Sequence, residues 1–417
     1  MVAFHFPPLQ GSSGMQRTLG FARHLPKYGW RPVILAPKPL AYAQIDPKQS
    51  ELIPRGLEVE RSFCLDTARH LSVMGRYPDL LATPDRWISW VPSAVLSGLR
   101  AVRRYKPDIL WSTYPIASAH IIGRILSRRT GIPWVADFRD PMVELNARTG
   151  EYAPANPRMR RSRLRIERGC AETASALVFC TDSARAICTG RYPGLAASKS
   201  HVIPNGFEES VFEEAFAVAR RRSDHGESEV VTLLHSGTIY PTADRDPRPF
   251  FDAVERLKRE GGLSSSKTRI ILRATGHDAI FLDFVKSRNI DDIVHLVPPI
   301  PYIDALAEML TVDGLLLFQG YTSNPAIPAK LYEYLRARKP ILALIDVAGS
   351  TAELLRSLKT GRQASIEDAG AIGDALTHLL EDIREKSYVL PPDREIAKYS
   401  RAAQTAELAE VFENVIP

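Results

Sequence analysis

The sequence predicts an α/β protein of two doubly wound domains, each a parallel sheet covered by helices, facing each other across a cleft. Three observations carry that expectation. Unbroken apolar runs such as residues 341–345 (ILALI) read as strands covered on both faces. They alternate with stretches of helical spacing such as 329–339, where Leu331, Tyr334 and Leu335 recur on one face. This rhythm occurs twice, on either side of a charged stretch, in a chain whose 417 residues suffice for two cores.

Taken in order, residues 2–6 read as a strand, PPLQGSSGMQ as a loop, and the following stretch as a helix that closes at Gly29. In that helix Met15, Leu19, Ala22, Leu25 and Tyr28 fall near one side. A second strand follows at 31–36. Gly11 and Gly14 would let the chain approach a ligand closely, or they form a plain tight turn. Neither GxGxxG nor GxxxxGK[ST] occurs. Residues 37–92 show no clear period. Residues 91–102 form an amphipathic helix ending in Arg103, Arg104 and Lys106, suited to a membrane surface or simply to a solvated helix end. Strands are expected at 108–112 and 132–136, the latter running into DFRDP. Polar groups just past a parallel strand lie where α/β folds bind ligands, so Asp137, Arg139, Asp140 and His120 are site candidates. The same residues could instead form a structural salt-bridge cluster. The strand at 177–180 and the segment HVIPNGF complete the first domain, placed at 1–207.

Residues 208–229 are charged and mixed, and read as a linker. The second domain, 230–393, opens with a strand at 230–235 and the loop SGTIYPTADRDPRPF, where Gly237 and Thr238 lead and Arg245 and Arg248 could reach a diphosphate. Strands at 270–274, 293–296 and 314–318 and a helix at 303–310 follow. The loop before residue 329 is stiffened by Pro325 and Pro328, and Pro340 stops the helix. Helix-end N–H groups there would face an anion, with Lys330 adding charge and Glu333 accepting ribose hydroxyls; the bland alternative is a solvated pair on a surface helix. Residues 394–417 read as a helix packing back on the first domain.

Composition narrows the function. At 45% hydrophobic and 24% charged the chain is not a disordered one. No run spans a bilayer, and MVAFHFPPLQG lacks the pattern of a signal peptide, so a cytoplasmic location is expected, with association at the inner face of the membrane. Cys64, Cys170, Cys180 and Cys188 form no CxxC pair and read as reduced structural residues. The net charge of +6 suits an anionic substrate or membrane face. No dense basic helix with interleaved aromatics points to nucleic acid.

FPPLQGSSGMQR, GIPWVADFRDP, VIPNGF, LLHSGTIY and IPAKLYEYLRARKPIL, in this order, resemble the family 4 (group 1) retaining glycosyltransferases of the GT-B fold, with its two facing Rossmann-like domains. The likeness is greatest to the bacterial branch that builds surface polysaccharides. It implies transfer of a sugar from a nucleotide-sugar donor, held mainly by the second domain, to a glycan or lipid-linked acceptor. It also implies retention of configuration, no metal and no cofactor beyond the donor itself. In this family the donor's own phosphate is thought to take the acceptor's proton, so no protein nucleophile is expected. The implied catalytic set is Arg139, Asp137, Asp140, Arg245 and Lys330. The implied donor-binding set is Gly11, Gly14, Gly237, Thr238, Arg248, Ile327 and Glu333, with Glu333 as the second acid of an E-x7-E motif. Two positions depart from the pattern: Pro325 stands where the first acid belongs, and Arg139-Asp140 stand where many relatives carry His-Asp. Asp244-Arg245-Asp246 is formally a DxD metal signature of another glycosyltransferase fold, but two successive βαβ series argue against that fold. The rival readings are a sugar-nucleotide epimerase on the same fold and a degenerate nucleotide-sugar-binding partner protein.

Overall fold

A computed structural model describes residues 1–10, 13–194, 199–222, 229–242 and 244–416. The chain divides into two compact units, Met1–Asn205 with Arg401–Pro417, and Gly206–Ser400.

The first unit contains α1 (Ser13–His24), β1 (Val33–Pro37), β2 (Glu58–Ser62), α2 (Thr67–His70), α3 (Trp90–Tyr105), β3 (Leu110–Thr113), α4 (Ala117–Thr130) and β4 (Trp134–Arg139). The hairpin β5 (Glu144–Leu145) and β6 (Tyr152–Ala153) comes next, then α5 (Pro157–Thr173), β7 (Ala176–Phe179), α6 (Asp182–Arg191) and β8 (Ser200–Val202). The strand expected at 2–6 shrinks to one residue. Val2 bridges in parallel to Leu35 of β1 and to Ser112 of β3. It thereby joins β2–β1 to β3–β4–β7–β8 as the centre of one parallel sheet. Chain order therefore reverses beside Val2, and the crevice at the carboxyl ends of Val2 and β3 is the expected ligand position. One face packs Phe4, Trp90, Trp134, Phe138 and Phe179. The other packs Ala3, Phe21, Trp111 and Val135 with Leu408 and Phe412 of the carboxyl-terminal helix.

The second unit comprises α7 (Glu209–Arg222), β9 (Val231–Ser236), α8 (Arg248–Arg259), β10 (Thr268–Arg273), α9 (Asp278–Ser287), β11 (Val294–Val297), α10 (Tyr302–Thr311) and β12 (Gly314–Gln319). It continues with α11 (Ala329–Ala337), β13 (Ile341–Ile345), α12 (Ser350–Ser357), β14 (Arg362–Ser365), α13 (Ala369–Glu385) and α14 (Asp393–Ala397). Its all-parallel sheet runs β11–β10–β9–β12–β13–β14, a doubly wound order whose reversal falls between β9 and β12. β13 is buried at every position, as its apolar run requires.

Two segments differ from their sequence reading. Within 208–229, read as a linker, α7 is an amphipathic helix of the second unit. Phe212, Ala215 and Ala219 are buried in that unit's core, while Arg336 and Asp304 hold Glu209 and Arg222. The charges that suggested a linker lie on the helix's polar side. The carboxyl-terminal helix is also two pieces: α14 stays with the second unit, and α15 (Arg401–Val415) packs on the first. No described helix is long and apolar enough to cross a membrane.

Candidate functional site

In the second unit, β9 delivers His235 and Ser236 to the point where strand order reverses, and Gly237 follows with φ +112°. Glycine suits that backbone, and a Cβ there would meet Lys330 Nζ at 2.9 Å, so any other residue would also displace the lysine end. Lys330 extends from the first turn of α11, which Pro328 leaves without a side-chain cap. Its ammonium lies 3.3 Å from His235 Nε2. His235 is fully buried, with Nδ1 2.9 Å from the Leu316 carbonyl and Nε2 3.0 Å from that of Gly237. Burial, and then the nearby Lys330, hold this imidazole well below its usual pKa, so it is neutral. Burial, and then Arg245, bring Lys330 down to about 7, against the pull of Glu333.

Arg245 reaches the same loop. It donates to the Thr238 carbonyl at 3.1 Å and lies over the Tyr240 ring at 5.1 Å. Its Nε is 3.3 Å from Asp244. Two cations, a glycine turn and an uncapped helix start therefore meet at the carboxyl end of β9. Such a set binds an anion of high charge density. Glu333, one turn into α11, accepts a 2.6 Å hydrogen bond from Tyr302 Oη at the start of α10.

Several expected members do not join this group. Arg248 is exposed and bound to Asp246, with its Nε 2.9 Å from both carboxylate oxygens, so its charge is already matched. Ile327 packs against the second unit's core. Gly11 lies outside the described residues. Gly14 is buried in the first turn of α1, where its carbonyl accepts from Thr18, and is not in a loop. The formal DxD carboxylates are separately engaged: Asp244 accepts from Thr322 at 2.7 Å and Ser323 at 2.6 Å, and Asp246 holds Arg248. Among the described residues no cluster of His, Cys, Asp or Glu is arranged to hold a metal. Pro325 sits beside Asn324, whose side chain donates to Asp346 at 2.9 Å.

In the first unit the DFRDP residues separate by role. Asp137 is fully buried, and both of its oxygens are taken by Arg17 at 2.9 Å, one of them also by Thr113 at 2.9 Å. Arg17 spends its other donors on the carbonyls of Ile203 and Pro204. With no oxygen left to reach a substrate, Asp137 is corrected from a reacting group to a positioning one. His120 is likewise a core residue: its Nδ1 lies 2.7 Å from Ser112 Oγ and its ring leans on Phe138. Burial lowers its pKa to about 3.

Arg139 and Asp140 remain at the strand end. Arg139 has φ +60°, rare for a side-chain-bearing residue, and the β4–β7 register shifts there. Burial pushes the Asp140 carboxyl up, against Arg139 and Arg17. His5, just past Val2, is brought to about 4 by burial and then by Arg139, so the two lie in one electrostatic environment at the reversal of this sheet. Sequence reasoning missed both histidines, His5 and His235. Each stands directly after or at the end of a first strand, and that position was the available signal.

Residues 13–206 match the Glycosyl transferase 4-like domain. A D-inositol 3-phosphate glycosyltransferase of Kineococcus radiotolerans is 27% identical over 207 residues, which are 48% of this chain and 45% of that protein. The chain thus aligns with less than half the length of that curated relative. Solved structures align over almost the whole chain. Sucrose-phosphate synthase of Thermosynechococcus elongatus has a TM-score of 0.68 at 16% identity, covering 99% of this chain and 98% of that one. HepE of Anabaena, solved with UDP and glucose, has a TM-score of 0.65 at 13% identity, with 99% of each chain covered. WaaG, a glycosyltransferase involved in lipopolysaccharide biosynthesis, has a TM-score of 0.61 at 13% identity, with 99% of each chain covered. The two-domain GT-B fold expected from the sequence is the fold these structures share.

Proposed function

We propose that this chain, whose residues 13–206 match the Glycosyl transferase 4-like domain, is a glycosyltransferase using a nucleotide-sugar donor. It transfers the sugar with retention to a glycan or lipid-linked acceptor in cell-surface polysaccharide synthesis, at the inner face of the membrane. The observation that carries the donor reading is the meeting of Lys330, Arg245 and the α11 start at Gly237, where the second sheet's order reverses. Departure of a nucleoside diphosphate builds negative charge, and cations fixed in a half-buried site stabilise that charge more than they stabilise the bound donor. Because Asp244 and Asp246 are committed to protein partners, these cations take the role a metal would otherwise fill. Glu333 receives the ribose, exchanging its bond from Tyr302 for bonds from the sugar hydroxyls. HepE, on the same fold, was solved with UDP, which makes a uridine donor the first choice. Arg139, Asp140 and His5 form the acceptor-side group. A guanidinium offers donors and no acceptor, so Arg139 acts as an anchor for a hydroxyl or phosphate, not as a base.

Thermal-shift titration with UDP-, GDP-, ADP-, CMP- and dTDP-sugars, with and without EDTA, tests this reading. Stabilisation by one nucleotide class, lost in Glu333→Ala and unchanged by EDTA, is expected. Stabilisation that EDTA abolishes would overturn the metal-free reading, and none from any donor would overturn the donor site.

A further inference from the structure

In the first unit α5 packs along α4, which lies on β3 and β4. A cavity of about 130 Å³ opens between the two helices. Ile121, Ile125 and Ile166 wall it, and His120, Arg124 and Arg128 line it at successive turns of α4. His120 is fully buried, and its hydrogen bonds fix where its proton sits. Trp134 Nε1, which can only donate, gives its hydrogen to Ser112 Oγ at 2.8 Å. The hydroxyl's own hydrogen then goes to His120 Nδ1, 2.7 Å away. The reverse arrangement would leave that hydroxyl hydrogen buried without an acceptor among the described residues. Nδ1 is therefore the acceptor, and the neutral imidazole carries its hydrogen on Nε2. Nε2, the nitrogen turned away from Ser112, has no hydrogen-bond partner among the described residues. It is a donor at the buried end of the cavity.

Arg124 stands one turn further out. Its guanidinium lies so close over Gly169 of α5 that a Cβ there would meet Nη1 at 2.5 Å, so the glycine makes its room. Arg124 Nε is buried without a partner, and neither Arg124 nor Arg128 has a carboxylate partner among the described residues. The acids nearby in the chain are committed elsewhere. Helix α4 has none, and α5 has two: Glu167 accepts from Arg191 and from the Met142 amide, and Glu172 from Arg168. Cys170, also on the cavity wall, is a neutral thiol, because burial holds its pKa well above the usual value. Donors and cations therefore face apolar walls with no anion to meet them. A planar guanidinium matches a carboxylate in shape and charge. An apolar cavity of about 150 Å³ takes benzene, so this one takes a molecule of about six non-hydrogen atoms. We propose that the cavity binds a small carboxylate, its oxygens held by His120 Nε2 and Arg124, its aliphatic part on the isoleucines, and Arg128 at the mouth. Inorganic phosphate fits less well, because it has no apolar part to cover those walls. None of these residues belongs to the donor group at Lys330 or to the acceptor-side group at Arg139.

The test is titration calorimetry of the full chain with sodium butyrate, sodium phosphate and sodium chloride at constant ionic strength. It needs neither sugar donor nor sugar acceptor, so its outcome is independent of the transfer reaction. Saturable binding of butyrate is expected. Arg124→Met keeps the aliphatic stem and removes the charged donors, and should weaken butyrate by about tenfold or more. His120→Asn keeps an acceptor for Ser112 without the Nε2 donor, and should weaken it by about fivefold. Arg128→Gln, at an exposed position, should weaken it by about threefold, as for a solvated charge. Melting curves identify a misfolded variant, in which case the others carry the test. Absence of saturable butyrate binding, or binding that the folded variants leave unchanged, would overturn the proposal. Phosphate bound more tightly than butyrate, and weakened by Arg124→Met, would overturn the carboxylate assignment in favour of an inorganic anion.

Discussion

Each unit brings charged side chains to the carboxyl ends of strands beside the reversal of its sheet, yet the two groups are built in opposite ways. In the first unit Arg17 and Asp137 neutralise each other in full burial, and the remaining arginine donors go to Ile203 and Pro204. In the second unit Lys330 faces a neutral imidazole, and Arg245 is met by a single carboxylate at 3.3 Å. A matched buried pair holds structure together. On the donor-site reading proposed above, the less fully matched Lys330 and Arg245 would take a ligand's charge; burial, and then Arg245, lower the lysine pKa there.

Breaking the matched pair should produce the largest effect. Asp137→Ala leaves Arg17 buried without its counter-charge, and a loss of about 3–5 kcal/mol of stability is expected in denaturant unfolding. An unchanged midpoint would mean that Asp137 does not brace the sheet end. On the cationic side Lys330→Ala should spare the fold and lower kcat by about a hundredfold or more, about 3 kcal/mol of transition-state stabilisation. If only KM rises, Lys330 binds ground state and transition state alike. Glu333→Ala should weaken donor binding by about 1–3 kcal/mol in titration calorimetry. Equal affinity would remove Glu333 from the site.

The smallest effect sharpens the comparison most. Lys330 has a folded pKa of about 7, below its unfolded value of 10.5, so its charge opposes folding below pH 7 and that penalty fades as pH rises between the two values. A diphosphate needs the charged form. Above pH 7 the empty site must take up a proton on binding, and donor affinity should fall by up to about tenfold per pH unit. Calorimetry at pH 8 in buffers of different ionisation enthalpy should register the uptake in the wild type and lose it in Lys330→Met. No uptake in the wild type would place the diphosphate away from Lys330.

The legible parts of the fold were those where one local signal decides the element. The run at 341–345 is β13, bounded as read, because a strand buried on both faces must be apolar throughout. The helix after Pro328 buries Leu331, Tyr334 and Leu335 as its spacing requires. Less was legible where the partner is remote in sequence. Val2 serves as a strand only because β1 and β3 flank it, and β14 (Arg362–Ser365) carries no apolar run to announce it. Arg248 and Arg245 look equivalent in the sequence, yet Asp246 takes one while Thr238 and Tyr240 orient the other.

The sequence by itself determined the α/β class, the repetition of βαβ units and the proline-bounded turn before α11, since period, proline and glycine act over a few residues. The tertiary structure alone decided which charges are cancelled and which remain available. That depends on a carboxylate 120 positions from its arginine and on a histidine 95 positions from its lysine, distances at which chain proximity carries no information.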